Sequence, residues 1–183
     1  MSLSKLVSTE NRVKILEYVM ERDTVSVEQT SRALHLSKGL ISLYFSTLVD
    51  EGIIVKKGKI FKVRHEDPLM KSLKILLNTY RLKNLLSKFR EPWMKSLGVY
   101  GSYAKGENRR ESDIDIWILT DQMPSIEKTA YLQGRLRGEI GRDIDLLILT
   151  PDKLKRIRQN DPIFYYSIVF GSILIWGEDI AGV

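Results

Sequence analysis

Cysteine is absent from this 183-residue chain, which excludes a disulfide framework and any thiolate metal site. Histidine is nearly absent: His35 and His65 are isolated from each other and read as ordinary surface or wing residues rather than ligands. No apolar run is long enough to span a bilayer, and the first residues lack the apolar core of a signal peptide. The expectation is a cytoplasmic protein with no membrane partner. Internal repeats and low-complexity stretches are also missing.

Charge is plentiful but uneven. Residues 1–67 carry eleven basic against nine acidic side chains, 68–92 six against one, and 93–183 twelve against thirteen. The positive excess therefore sits in the middle segment, where a polyanion partner or a plain solvated helix face would each explain it.

The N-terminal third reads as three helices and a hairpin. Val13, Leu16, Val19 and Met20 recur at helical spacing within 9–22. Ser26-Val27-Glu28-Gln29 is a capping box opening a second helix. Ser37 caps a third, with Ile41, Phe45 and Leu48 inward and Gly52 at its end. Residues 53–55 and 60–63 pair around Lys56-Lys57-Gly58-Lys59. This arrangement resembles the winged helix-turn-helix of prokaryotic regulators. That resemblance implies a third helix entering the major groove and a wing on phosphates. Lys38 and Ser42 would then face bases, and Lys56, Lys57, Lys59, Lys62 and Arg64 phosphates. The third helix offers no Arg, Asn or Gln for bidentate base contacts, so a dimerisation or partner-docking module is the alternative.

Pro68 begins a long amphipathic helix expected to reach about residue 90, with Asp67 as its cap. Leu69, Leu73, Leu76, Leu77, Tyr80, Leu85 and Phe89 form its apolar stripe, and Glu91-Pro92 ends it. The stripe suits domain packing or a homodimer surface. The domains expected are 1–67, a basic linker helix at 68–92, and 93–183.

The chemistry concentrates in residues 97–119. Val99 and Tyr100 end a strand, and Gly101 permits a tight turn with close approach to the backbone. Ser102 is placed to cap a short helix that Gly106 stops, and a helix start offers free N–H groups to an anion. Asp113 and Asp115 then alternate with Ile114 and Ile116, so both carboxylates share one face of a buried strand. Unpaired, they repel and lose hydration; a divalent cation with oxygen ligands resolves that conflict.

Gly101-Ser102, ten residues, then Asp113-x-Asp115 resembles the signature of the DNA polymerase beta nucleotidyltransferase superfamily, and is most similar to its minimal members. The fuller form Gly-Ser-x-Ala-x-Gly matches at Gly101, Ser102, Ala104 and Gly106. Gly171-Ser172 is a second Gly-Ser without an acid pair behind it. The resemblance covers about residues 93–177. It implies an α/β fold, an α+β nucleotidyltransferase sheet with flanking helices, behind the winged helix and linker helix. Strands are expected at about 96–100, 113–119, 144–149 and 172–176, with a helix running from Pro124 to about Gly138. It also implies a third carboxylate on the next acid-bearing strand. Asp145 matches, and Asp143 shares its face by parity as the rival.

By the same resemblance, a nucleoside triphosphate such as ATP lies over Gly101 and Ser102. Lys105, Arg109 and Arg110 are candidates to neutralise it. Asp113, Asp115 and Asp145 hold two Mg²⁺ ions, and a nucleoside monophosphate passes to an acceptor hydroxyl. Two further readings stand beside this one. The chain could be an antitoxin that adenylylates a HEPN-type toxin, a protein acceptor, with the winged helix serving autoregulation. It could also be a regulator that binds duplex DNA and only senses nucleotide.

Overall fold

The computed structural model describes residues 3–182. They divide into two compact units, with the break after Lys74.

The first unit contains α1 (Ser4–Val7), α2 (Glu10–Met20), β1 (Thr24–Val25), α3 (Val27–Leu34), α4 (Lys38–Asp50), β2 (Ile54–Lys57) and β3 (Ile60–Val63). The expected caps at Ser26 and Ser37 are in place, and Thr9 adds one that the sequence reading did not name. Thr9, Ser26 and Ser37 side chains accept from the N–H groups of Arg12, Gln29 and Leu40. Ile15, Leu16, Ile41, Phe45 and Leu48 are fully buried, each worth about 1.5–3 kcal/mol. The two-residue β1 adds a third strand beside the hairpin, in the order β1-β3-β2. Such a short segment has no period for a sequence reading to find.

His65 departs from its expected surface place: it is buried. Its Nε2–H donates to the Arg22 carbonyl at 3.0 Å, and its Nδ1 lies 3.4 Å from the buried Lys74 ammonium. The Asp23 carboxylate stands 3.3 Å from the same Nε2, a second acceptor for that N–H.

Helix α5 (Pro68–Leu86) crosses the break between the units, and Asp67 accepts from the Leu69 N–H as expected. It ends a turn earlier than its periodicity suggests. Met70, Leu73, Leu82 and Leu86 are the buried apolar positions, while Leu76 and Tyr80 are exposed. A helix whose two ends serve different cores need not keep one straight apolar stripe.

The second unit follows as β4 (Ser96–Tyr100), α6 (Gly101–Lys105), β5 (Ile114–Leu119), α7 (Ile126–Ile140), β6 (Ile144–Leu149), α8 (Pro151–Asn160), α9 (Pro162–Gly171) and β7 (Ile173–Trp176). Ser125, rather than Pro124, caps α7, and Gly134 is carried within it. Thr150 and Asp161 cap α8 and α9 ahead of their prolines. The sheet order is β6-β5-β4-β7. Only β5 and β6 run parallel, so α7 is the crossover that such pairing requires.

Each face of this sheet has its own core. One gathers Val99, Ile114, Ile116, Ile118, Ile144 and Ile148 under Leu82, Leu86 and Phe89 and under α7's Leu132, Leu136 and Ile140. The other places Trp117, Leu119 and Leu149 under Leu154 of α8 and Tyr165 and Ile168 of α9. Strand parity puts Asp113, Asp115 and Asp145 on the Trp117 face. Gly98 makes room for that indole: a Cβ there would lie inside the Trp117 ring, 2.7 Å from Nε1. Gly98→Ala is expected to lower stability by about 1–3 kcal/mol, read as a lower urea midpoint at unchanged m-value.

Candidate active site

Parallel register aligns Asp115 of β5 with Asp145 of β6, and antiparallel register aligns Asp115 with Tyr100 of β4. Three adjacent strands thus bring two carboxylates and a phenol onto one face. Asp113 precedes β5 and is exposed.

Gly101 sits against this group. Its φ is +67°, and a Cβ there would overlap Asp115 Oδ2 and stand 2.8 Å from its Cγ. Both the left-handed conformation and the close approach demand glycine. Helix α6 begins at Gly101 with Tyr100 as N-cap and no side-chain cap bond. Ser102 therefore is not the cap that its identity suggests. Its backbone N–H instead donates to the Asp115 carboxylate. Gly106 ends α6 in the left-handed conformation, as expected.

Burial and the neighbouring charges of Asp145 and Asp113 push the Asp115 carboxyl above its ordinary range, offset in part by the N–H groups of Ser102 and of Asp115 itself. Burial, Asp115 and Asp145 push the Tyr100 hydroxyl up to about 12. Like charges crowded without a counter-charge, on hard oxygen donors only, suit a hard divalent cation. Among the described residues no three Asp, Glu, His or Cys side chains are grouped closely enough to hold a metal ion. The three-carboxylate convergence is thus incomplete here, and Asp115 with Asp145 is the pair that the sheet aligns.

The rival Asp143 is otherwise engaged, ion-paired with Arg137 of α7. Lys105 is exposed and lies along the C-terminal end of α9. Arg109 turns its guanidinium onto the Glu107 carbonyl at 3.0 Å, and the Arg110 guanidinium lies 3.8 Å from Glu111. Neither arginine is brought to the acids by these contacts.

Two residues outside the sequence reading support the site. Tyr100 is one; strand pairing alone sets it opposite Asp115, so only the register could have shown it. Asn78 of α5 is the other. Its amide donates to the Tyr103 carbonyl and to Asn108 Oδ1, both at 2.9 Å. It ties α6 to the loop that leads into Asp113.

In the first unit, Lys56, Lys57 and Lys59 are exposed on the hairpin. Ser42 is exposed on α4, and Lys38 stands 3.9 Å from Glu28.

The family described as polymerase beta nucleotidyltransferase matches residues 81–179, more than half of the chain. The chain belongs to this family. The family described as bacterial regulatory protein, arsR family, matches residues 9–56, so the first unit is a helix-turn-helix unit. The protein adenylyltransferase MntA of Thermococcus cleftensis is 34% identical over 55 residues, 30% of this chain and 56% of that protein. The chain thus spans little more than half the length of that relative. MJ0128 of Methanocaldococcus jannaschii, a candidate protein adenylyltransferase, is 32% identical over 83 residues, 45% of this chain and 72% of its own. A solved toxin–antitoxin structure with AMP-PNP aligns at 24% identity and a TM-score of 0.41, over 55% of this chain and 74% of that one. No helix among the described residues is long and apolar enough to cross a membrane.

The raised Asp115 carboxyl has a consequence for the stability of the metal-free nucleotidyltransferase domain. Protonation favours the folded state, so this group's contribution is present below its ordinary range and is lost as pH rises through its raised value. At neutral pH the carboxylate is a liability. Asp115→Asn is therefore expected to melt at or above the wild-type temperature at pH 7 without metal. The gap should close as pH falls into the carboxylate range, as followed by thermal denaturation at several pH values.

Proposed function

We propose that this chain transfers a nucleoside monophosphate, AMP by analogy with its named relatives, from a nucleoside triphosphate to a hydroxyl on a protein acceptor. The observation that carries the reading is the alignment of Asp115 with Asp145 directly beside the Gly101 turn. The triphosphate would lie over Gly101 and Ser102, where glycine keeps side-chain bulk away from the phosphates. Lys105, exposed on α6, is a candidate cation for it, while Arg109 and Arg110 would have to leave their loop partners to reach it.

Asp115 and Asp145, the pair that the sheet aligns, would hold Mg²⁺, and Asp113 would have to swing toward them to complete the two-ion form of the reading; when bound, the metal supplies charge neutralisation at the phosphates. Asp145, exposed at the edge of the pair, would accept the proton of the acceptor hydroxyl. The hydroxyl oxygen bonds to the α-phosphorus, the bond from that phosphorus to the β-bridging oxygen breaks, and pyrophosphate departs with the electron pair. Asn78, by fixing α6 and the acid loop, would keep the phosphate turn and carboxylates in register.

Incubation with α-labelled ATP, Mg²⁺ and cell lysate tests this. A labelled protein is expected, with Asp113→Asn and Asp115→Asn lowering label by about a hundredfold or more. Both should also lose most of the thermal stabilisation by MgATP. Asp145→Asn should cost turnover more than nucleotide binding, and Asp143→Asn should leave both near wild type. The reverse ranking of Asp143 and Asp145 would reassign the third carboxylate.

The helix-turn-helix match and the exposed hairpin lysines favour a second role, contact with duplex DNA through phosphates. Combined with a HEPN-type toxin as acceptor, it gives the antitoxin form of the reading. Replacing Lys56, Lys57 and Lys59 with Ala should weaken binding to random duplex. It should also flatten the salt dependence by about one unit of slope per lysine. Absence of binding at low salt would leave the unit as an interaction module.

A further inference from the structure

Helix α9 breaks the rule that a surface helix turns a polar face to water. Residues 162–171 include no charged side chain. Its inward face is filled by Tyr165 and Ile168. Its outward face is apolar as well: Ile163 is 84% exposed, Phe170 78% and Tyr166 47%, with Tyr166 and Phe170 stacked at 5.8 Å. These positions follow helical spacing, so they form one continuous stripe. Together they expose several hundred Å² of apolar surface, the scale at which a patch marks an interaction site.

The start of the helix that carries the stripe lies beside the acids. Phe164, one residue after Ile163, meets Tyr100 edge to face at 6.3 Å, and Tyr100 is paired in register with Asp115. Toward the other end of α9, Gly171 approaches Lys105 of α6. The helix packed against α9 supplies the charge. Lys155 and Arg158 of α8 are exposed, and no carboxylate pairs with either among the described residues. Arg158 stands over the Tyr165 ring at 5.7 Å. A hollow lined by Pro151, Leu154, Lys155, Arg158 and Tyr165 opens there.

We propose that the outer face of α9, with the basic flank of α8, is the docking surface for the protein acceptor, and that the acceptor presents an apolar centre with an acidic rim. The proposal rests on the protein-acceptor reading above. Charge decides the occupant: a second copy would set cationic α8 flanks near one another, whereas an acidic rim meets them with opposite sign. Position gives the surface its purpose, since a protein seated on α9 is held next to the carboxylate pair.

The test compares wild type with two variants, Ile163→Ser/Phe170→Ser and Lys155→Glu/Arg158→Glu, all at exposed positions. The probe is α-labelled ATP with Mg²⁺ and cell lysate, with MgATP-induced thermal shift and light-scattering mass measured alongside. Each variant is expected to lose label on the acceptor by tenfold or more while keeping the wild-type thermal shift, with the loss recovering as purified acceptor is raised. Undiminished labelling by both variants would overturn the docking surface and leave the protein-acceptor reading standing. No labelled protein with wild type would overturn that reading itself and the docking surface with it. A wild-type dimer that either variant dissolves while labelling persists would give the stripe to a second copy and end the proposal.

Discussion

Repulsion between two carboxylates is the constraint around which the second unit is arranged. Parallel strands place Asp115 and Asp145 side by side, and at Asp115 burial and the acidic neighbours outweigh the N–H groups that face it. The backbone N–H of Ser102 relieves part of the charge at Asp115, and it can do so only because Gly101 lacks a side chain. The glycine turn and the acid strand therefore form one electrostatic object. A triphosphate and its cations would exchange one set of anion partners for another at the same N–H groups.

The rest of the unit serves that arrangement. Crossover helix α7 makes β5 and β6 parallel, which is what aligns the acids, and Gln133 on it donates to the Ile144 carbonyl at 2.6 Å to fix the entry of β6. Arg137 on the same helix draws Asp143 aside. A single helix thus sets the strand of one acid parallel to β5 and ion-pairs with the acid two residues before it. Helix α5 acts from further off in sequence, through the Asn78 amide.

Much of this was legible in the sequence because it depends on local chemistry. Caps at Ser26, Ser37 and Asp67 act within three residues of themselves, and alternation alone assigns Asp113 and Asp115 to one face. What escaped depends on partners distant in the chain. Tyr100 gains its place from strand register, Asn78 from a contact with Asn108, and His65 its burial from Arg22 and Lys74. Ser102 misled for a related reason: its identity suggested a cap, but a carboxylate from the next strand takes that place. The stripe of α5 misled because spacing cannot tell which of two cores a helical position will meet.

Gly98 and Trp117 are cross-strand neighbours in register, and the indole of one occupies the volume that any side chain on the other would need. Steric exclusion of this kind makes two positions a single heritable character. A lineage that enlarges the glycine must shrink the tryptophan in the same step or soon after, so the pair should drift together.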